Sequence, residues 1–128
     1  MIREEQLMVG DYVNTFGNGN SIDFGIVHEI RYCGKEITIN FDDISGIFSE
    51  NEISPIKLTK DFFLKNGFKE LCRTDYSTRL YNSDLYLRVK ITPENRFTCN
   101  YIDVNYIHEF QHYLRLVNLS DYANSLKI

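Results

Sequence analysis

The sequence predicts an α+β protein: an N-terminal SH3-like small β-barrel over residues 1–57, followed over 58–128 by an antiparallel β-sheet packed against two helices. Three patterns carry this expectation. Short β-rich runs separated by turn residues fill the first part of the chain. A strict two-residue alternation returns at 85–91. A helical stripe of Ile107, Phe110, Leu114 and Val117 closes the sequence. The two parts are expected to form one compact unit, since no flexible linker separates them and 128 residues suit a single ordinary domain.

Leu7 to Val13, with its Gly10-Asp11-Tyr12-Val13, reads as the opening strand. Phe24 to Ile30 and Glu36 to Phe41 follow, with Gly17-Asn18-Gly19-Asn20 and Cys33-Gly34-Lys35 as turns. In the second of these runs Ile37, Ile39 and Phe41 face one side and Glu36, Thr38 and Asn40 the other, the pattern of a sheet wet on one face. Ile44 to Ile56 is the closing segment of a unit in which five short strands are expected, and Pro55 ends it. Thr59 then caps a short helix through Asp61, Phe62, Phe63 and Leu64, which Gly67 stops. In Leu85 to Ile91 the odd positions are aliphatic, and Thr92-Pro93-Glu94-Asn95 turns this strand into Arg96 to Tyr101 as a hairpin. The last helix is expected from about Val104 to Val117, capped by Asp103 or Asn105.

Composition narrows the function classes. Hydrophobic residues at 43% and aromatics at 14% supply enough apolar surface for a core, so disorder is excluded. The first residues form no signal-type apolar region, and no apolar run is long enough to span a bilayer; a cytoplasmic protein without a membrane partner is expected. Cys33, Cys72 and Cys99 are odd in number and widely spaced, which suits small buried thiols better than disulfides or a thiolate zinc site. The net charge of −4 opposes a global attraction to nucleic acid, yet residues 1–60 hold five Lys/Arg against ten Asp/Glu while 61–128 hold nine against eight.

One string names a chemistry. His108, Glu109 and His112 form H-E-x-x-H, which on a helix puts two zinc ligands on one face with a glutamate beside them as general base. A catalytic zinc takes three protein ligands and one open position, and the third is missing from the expected places. Beyond His112 there is no His, Glu, Cys or Gly, Asn118 occupies the position of a third histidine, and Asp121 is the sole carboxylate. An upstream Cys99 or Cys72 would resemble peptide deformylases, but the glycine-rich and glutamine-containing segments of those enzymes are absent. Helix-surface residues without metal are therefore the expected reading of the motif, with no catalytic residue and no cofactor assigned.

Leu7 to Val13, Glu52 to Thr59 running into Phe63 to Phe68, and Tyr106 to Leu116 resemble a family of small uncharacterised proteins encoded by phages and mobile elements of gut bacteria. His108 and Gln111 match that family's last helix, whereas Glu109 and His112 depart from it. The resemblance implies a small accessory protein and carries no assigned activity.

A binding surface is the other candidate. Tyr86, Arg88 and Lys90 point outward from one strand of the hairpin and Arg96, Thr98 and Asn100 from the next, with Arg73 and Arg79 close by. Cations interleaved with an aromatic ring hold phosphates and stack bases, and they equally form protein interfaces. Asp42-Asp43 and Glu50-Asn51-Glu52 could oppose a basic partner, and His28 beside Glu29 reads as structural. P-loop, dinucleotide-binding and hydrolase-elbow motifs are absent. The expected function is a non-enzymatic binding or accessory module, with a protein as partner. The alternatives are a minimal zinc hydrolase at 108–112 and nucleic-acid binding through the Tyr86, Arg88, Lys90 and Arg96 face.

Overall fold

A computed structural model of the chain describes residues 6–16, 22–31, 36–40 and 45–128. The expected turns at 17–20 and 33–35, together with Cys33, Phe41, Asp42, Asp43 and Ile44, lie outside these residues. The class is α+β, with two five-stranded antiparallel sheets and three short helices among the described residues. No described helix is long and apolar enough to cross a membrane.

The chain divides into two compact units, one of residues 1–56 and 106–124, the other of 57–105 and 125–128. In the first, β1 (Tyr12–Phe16), β2 (Ile22–Arg31), β3 (Glu36–Asn40), β4 (Ser45–Phe48) and β5 (Ile53–Ser54) form a sheet in the order β4-β3-β2-β1-β5. This is a meander whose last strand returns to β1, with a 3-10 turn at Glu50–Glu52 just before it. Leu7, Val13, Val27, Ile37, Ile39 and Ile53 make the core, as the alternation in β3 requires. The opening strand starts at Tyr12 instead of Leu7, because Gly10 sits at φ +96 and Asp11 N donates back to the Met8 carbonyl, making a turn there. The segment expected as one closing strand is divided into β4, the 3-10 turn and β5.

The final helix, α2 (Ile107–Leu116), also belongs to the first unit, with a third helix, α3 (Ser120–Ala123), that sequence periodicity did not indicate. It begins later than expected because 102–104 pair as a strand, so Tyr106 and not Asp103 or Asn105 is its N-cap. Ile107, Phe110 and Leu114 of the stripe are buried, and Val117 at its end is exposed. Asn118, at φ 64, closes the helix while Leu119 N donates to the Leu114 carbonyl.

In the second unit α1 (Lys60–Lys65) is capped as the sequence predicts: Thr59 Oγ1 accepts from Phe62 N at 3.1 Å, and Gly67 at φ +87 follows the helix end. Its sheet runs β10-β9-β8-β7-β6, from β6 (Lys69–Arg73), β7 (Thr78–Asn82), β8 (Leu87–Ile91), β9 (Phe97–Cys99) and β10 (Ile102–Val104). Phe63 is fully buried, with the rings of Phe62, Phe68 and Phe97 between 5.2 and 5.7 Å from its own. The strand expected from Leu85 starts at Leu87, because Asn82 Oδ1 accepts from Asp84 N and Leu85 N and turns the chain there.

Candidate functional site

The second sheet buries one face and presents the other to solvent. Leu87, Val89 and Ile91 of β8 are buried while Arg88 and Lys90 between them are exposed. Residues paired directly across antiparallel strands share a face, so register assembles the outer side. Cys72 pairs with Arg79, Arg79 with Lys90, Lys90 with Thr98 and Thr98 with Asp103, giving one row across all five strands. Lys69, Tyr81 and Arg88 form a second row, in which the Arg88 guanidinium lies 5.9 Å from the Tyr81 ring centre.

This face holds a concavity of about 710 Å³. Of the residues that the sequence nominates for a partner surface, Tyr86, Arg88 and Lys90 line it, joined by Arg79, Thr98 and Asn100. Arg96 is exposed in the turn between β8 and β9 and is not among the lining residues. Leu71, Cys72 and Tyr101 line it as well, none of them nominated by the sequence for a partner surface.

Two lining tyrosines stand out. Tyr86 is 81% exposed at φ 54, and Tyr101 is 101% exposed at φ 71. Asn100 and Tyr101 are the two central residues of the β9–β10 hairpin, both at positive φ. A turn of that kind favours Asn-Gly, so tyrosine is the wrong shape for the position. A bulky side chain held there costs about 1 kcal/mol of backbone strain, and neither ring recovers it by burial. The sequence signal is Asn100-Tyr101 between two β-rich runs, which marks a turn within the segment expected as one strand to Tyr101.

Charge follows the same division. The unit containing this face has ten Lys/Arg against six Asp/Glu, and the other unit four against twelve.

No protein-family model, curated protein or solved structure matches this chain.

The H-E-x-x-H residues lie on α2; Glu109 and His112 have hydrogen-bond partners, whereas His108, expected on the helix surface, is buried by the packing of α2, and its Nδ1 has no partner among the described residues. Glu109 Oε1 accepts from Tyr106 N at 3.1 Å, turning the general base of the zinc-hydrolase alternative toward its own helix start. His108 and His112 meet edge to face with ring centres 5.7 Å apart, and His108 stacks on Tyr106 at 5.9 Å. His112 Nε2 is 2.7 Å from Asp11 Oδ2, while Arg115 Nη1 donates to Asp11 Oδ1 at 2.6 Å. Met8 N also donates to Asp11, whose side chain is wholly buried. Among the described residues no group of three or more His, Cys, Asp or Glu is arranged to hold a metal ion. Asp121 is exposed, and Cys72 and Cys99 belong to the second unit. Cys99 is buried with its thiol pushed up to about 12 by desolvation, whereas Cys72 is exposed, contrary to the expectation of buried thiols.

Gln111, which the stripe leaves on a flank of the helix, is fully buried. Its Oε1 accepts from Tyr12 N at 2.8 Å, and its Nε2 donates to the carbonyls of Gly10 and Ala123. Asp11, Gln111, His112 and Arg115 thus tie α2 to the turn that precedes β1. A side chain at Gly10 would meet Arg115 Nη2 at 3.0 Å, so the close approach depends on glycine there as well as on its positive φ.

His108 sets a pH dependence. Burial lowers its pKa below 6.5, opposed by Asp11 and Glu109 and reinforced by His112. The unfolded chain therefore takes up this proton first as pH falls. Stability from this group is complete above about 6.5, declines as pH drops from there toward the folded value, and then levels. Urea midpoints measured across this range should fall toward acid, and His108→Phe should flatten that slope; an unchanged slope would assign it to another group.

Proposed function

We propose that the chain is a non-enzymatic binding module that docks a protein partner on the outer face of its second sheet, as a cytoplasmic accessory protein of a phage or mobile element. The observation carrying this reading is the pair of exposed tyrosines held at positive φ around a concavity lined by Arg79, Arg88 and Lys90. Tyrosine and arginine are the residues that most often anchor protein interfaces, and strain kept at an exposed position belongs with function more than with folding. The five-strand meander with a 3-10 turn before β5 supports an SH3-like reading of the first unit. The mobile-element setting rests on the sequence resemblance.

The test is capture from a nuclease-treated extract of the host with the tagged chain and with its Arg79→Glu, Arg88→Glu variant. A protein retained by the first and lost from the second is expected. Identical captured sets, with both chains folded, would overturn the assignment of this face.

A further inference from the structure

The outer face of the second sheet carries two costs in the isolated chain. Arg79 and Lys90 are directly opposite each other on neighbouring strands, an arrangement in which like charges repel. Neither they nor Arg88 has a carboxylate partner among the described residues, although Arg31, Lys60 and Arg115 all do. Tyr86 and Tyr101 add backbone strain without burial. An anion that neutralises the cations removes the first cost, and a side chain that covers the rings offsets the second through burial.

Leu71, 58% exposed, lies on the same concavity, so its lining combines cations, aromatic rings and an aliphatic group. We infer that the segment this face binds is acidic and carries an apolar anchor: Asp or Glu side chains set against Arg79, Arg88 and Lys90, with a Leu or Phe seated between Leu71 and the tyrosine rings. This deepens the docking reading above and rests on it. Carboxylates meet guanidinium groups with two parallel hydrogen bonds, which gives the cations geometric as well as electrostatic selectivity. A short peptide fits better than a long phosphate chain: the protein as a whole is acidic at −4, so repulsion grows with the length of a polyanion, and exposed Leu71 in the concavity matches an apolar side chain that a phosphate chain lacks. The ligand is expected to cross the face rather than extend the sheet at β6, because the pairing of that edge strand is interrupted by a bulge between Glu70 and Cys72.

Fluorescence anisotropy with three labelled probes tests this: a short Asp/Glu-rich peptide around a central Phe, the same peptide with Asn and Gln replacing the acids, and oligo(dT). The acidic peptide should bind and weaken as salt rises, with the neutral peptide about tenfold weaker. Arg88→Ala with Lys90→Ala should weaken the acidic peptide by about tenfold or more. Tyr101→Gly should also weaken it while raising the melting temperature, because glycine relieves the strained turn; a merely structural tyrosine would not separate the two effects. Tighter binding of oligo(dT) than of the acidic peptide, lost in the same variants, would overturn the peptide chemistry and leave the docking face in place. Failure of every probe together with captured proteins insensitive to Arg88→Glu would overturn both.

Discussion

Asp11→Ala is expected to lower the unfolding free energy by about 3–5 kcal/mol, the usual cost of removing one partner from a buried charge network. Asp11 has no exposed side-chain surface, and its two oxygens serve His112 and Arg115 at 2.7 and 2.6 Å as well as Met8 N at 2.8 Å. Arg115 is 13% exposed and its Nη2 has no hydrogen-bond partner among the described residues, so loss of Asp11 leaves a guanidinium close to fully stranded. Urea denaturation gives the magnitude. A double-mutant cycle gives the mechanism: adding Arg115→Met to Asp11→Ala should restore part of the stability, since it removes the stranded charge. A loss below about 1 kcal/mol for Asp11→Ala would mean that the network is open to water and contributes little.

Gln111→Leu is expected to cost about 3 kcal/mol or more while keeping side-chain size. The substitution leaves Tyr12 N, Gly10 O and Ala123 O without the partner that Gln111 gives each. Each unsatisfied buried backbone group costs roughly 1–3 kcal/mol. The two substitutions address adjacent attachments of one helix, so their combined effect should fall short of the sum. A near-neutral Gln111→Leu, read by thermal and urea unfolding together, would show that solvent or a shifted backbone satisfies those groups.

These two residues mark the limit of what the sequence disclosed. Elements set by local chemistry were legible: the Thr59 cap, the Gly67 stop, the alternation of β3 and β8, and the buried Ile107, Phe110 and Leu114. Local chemistry does not say which sheet a helical stripe covers, and α2 falls with strands about a hundred positions earlier through Asp11–Arg115 and Gln111–Tyr12. Asp11 read as one polar residue of the expected opening strand, and Gln111 as a flank, because burial of polar groups depends on partners distant in sequence. The outward facing of Arg88 and Lys90 was legible because a period of two fixes facing directly, whereas Tyr86 lies in the turn before β8 and borders the concavity from there. Arg79, Cys72 and Leu71 were harder, since their place on the face comes from the register of β6 and β7, whose residues alternate weakly and whose pairing contains a bulge.

The interleaved order of the two units matters during synthesis. Strands β1 to β5 emerge from the ribosome first, but the helix grouped with them is encoded after residues 57–105. At about 5–20 residues per second, translation spends several seconds on that insertion before α2 exists. Throughout the wait the Asp11 carboxylate and the Tyr12 amide are without Arg115 and Gln111, and a nascent chain in that state is the form most exposed to chaperones and to premature association.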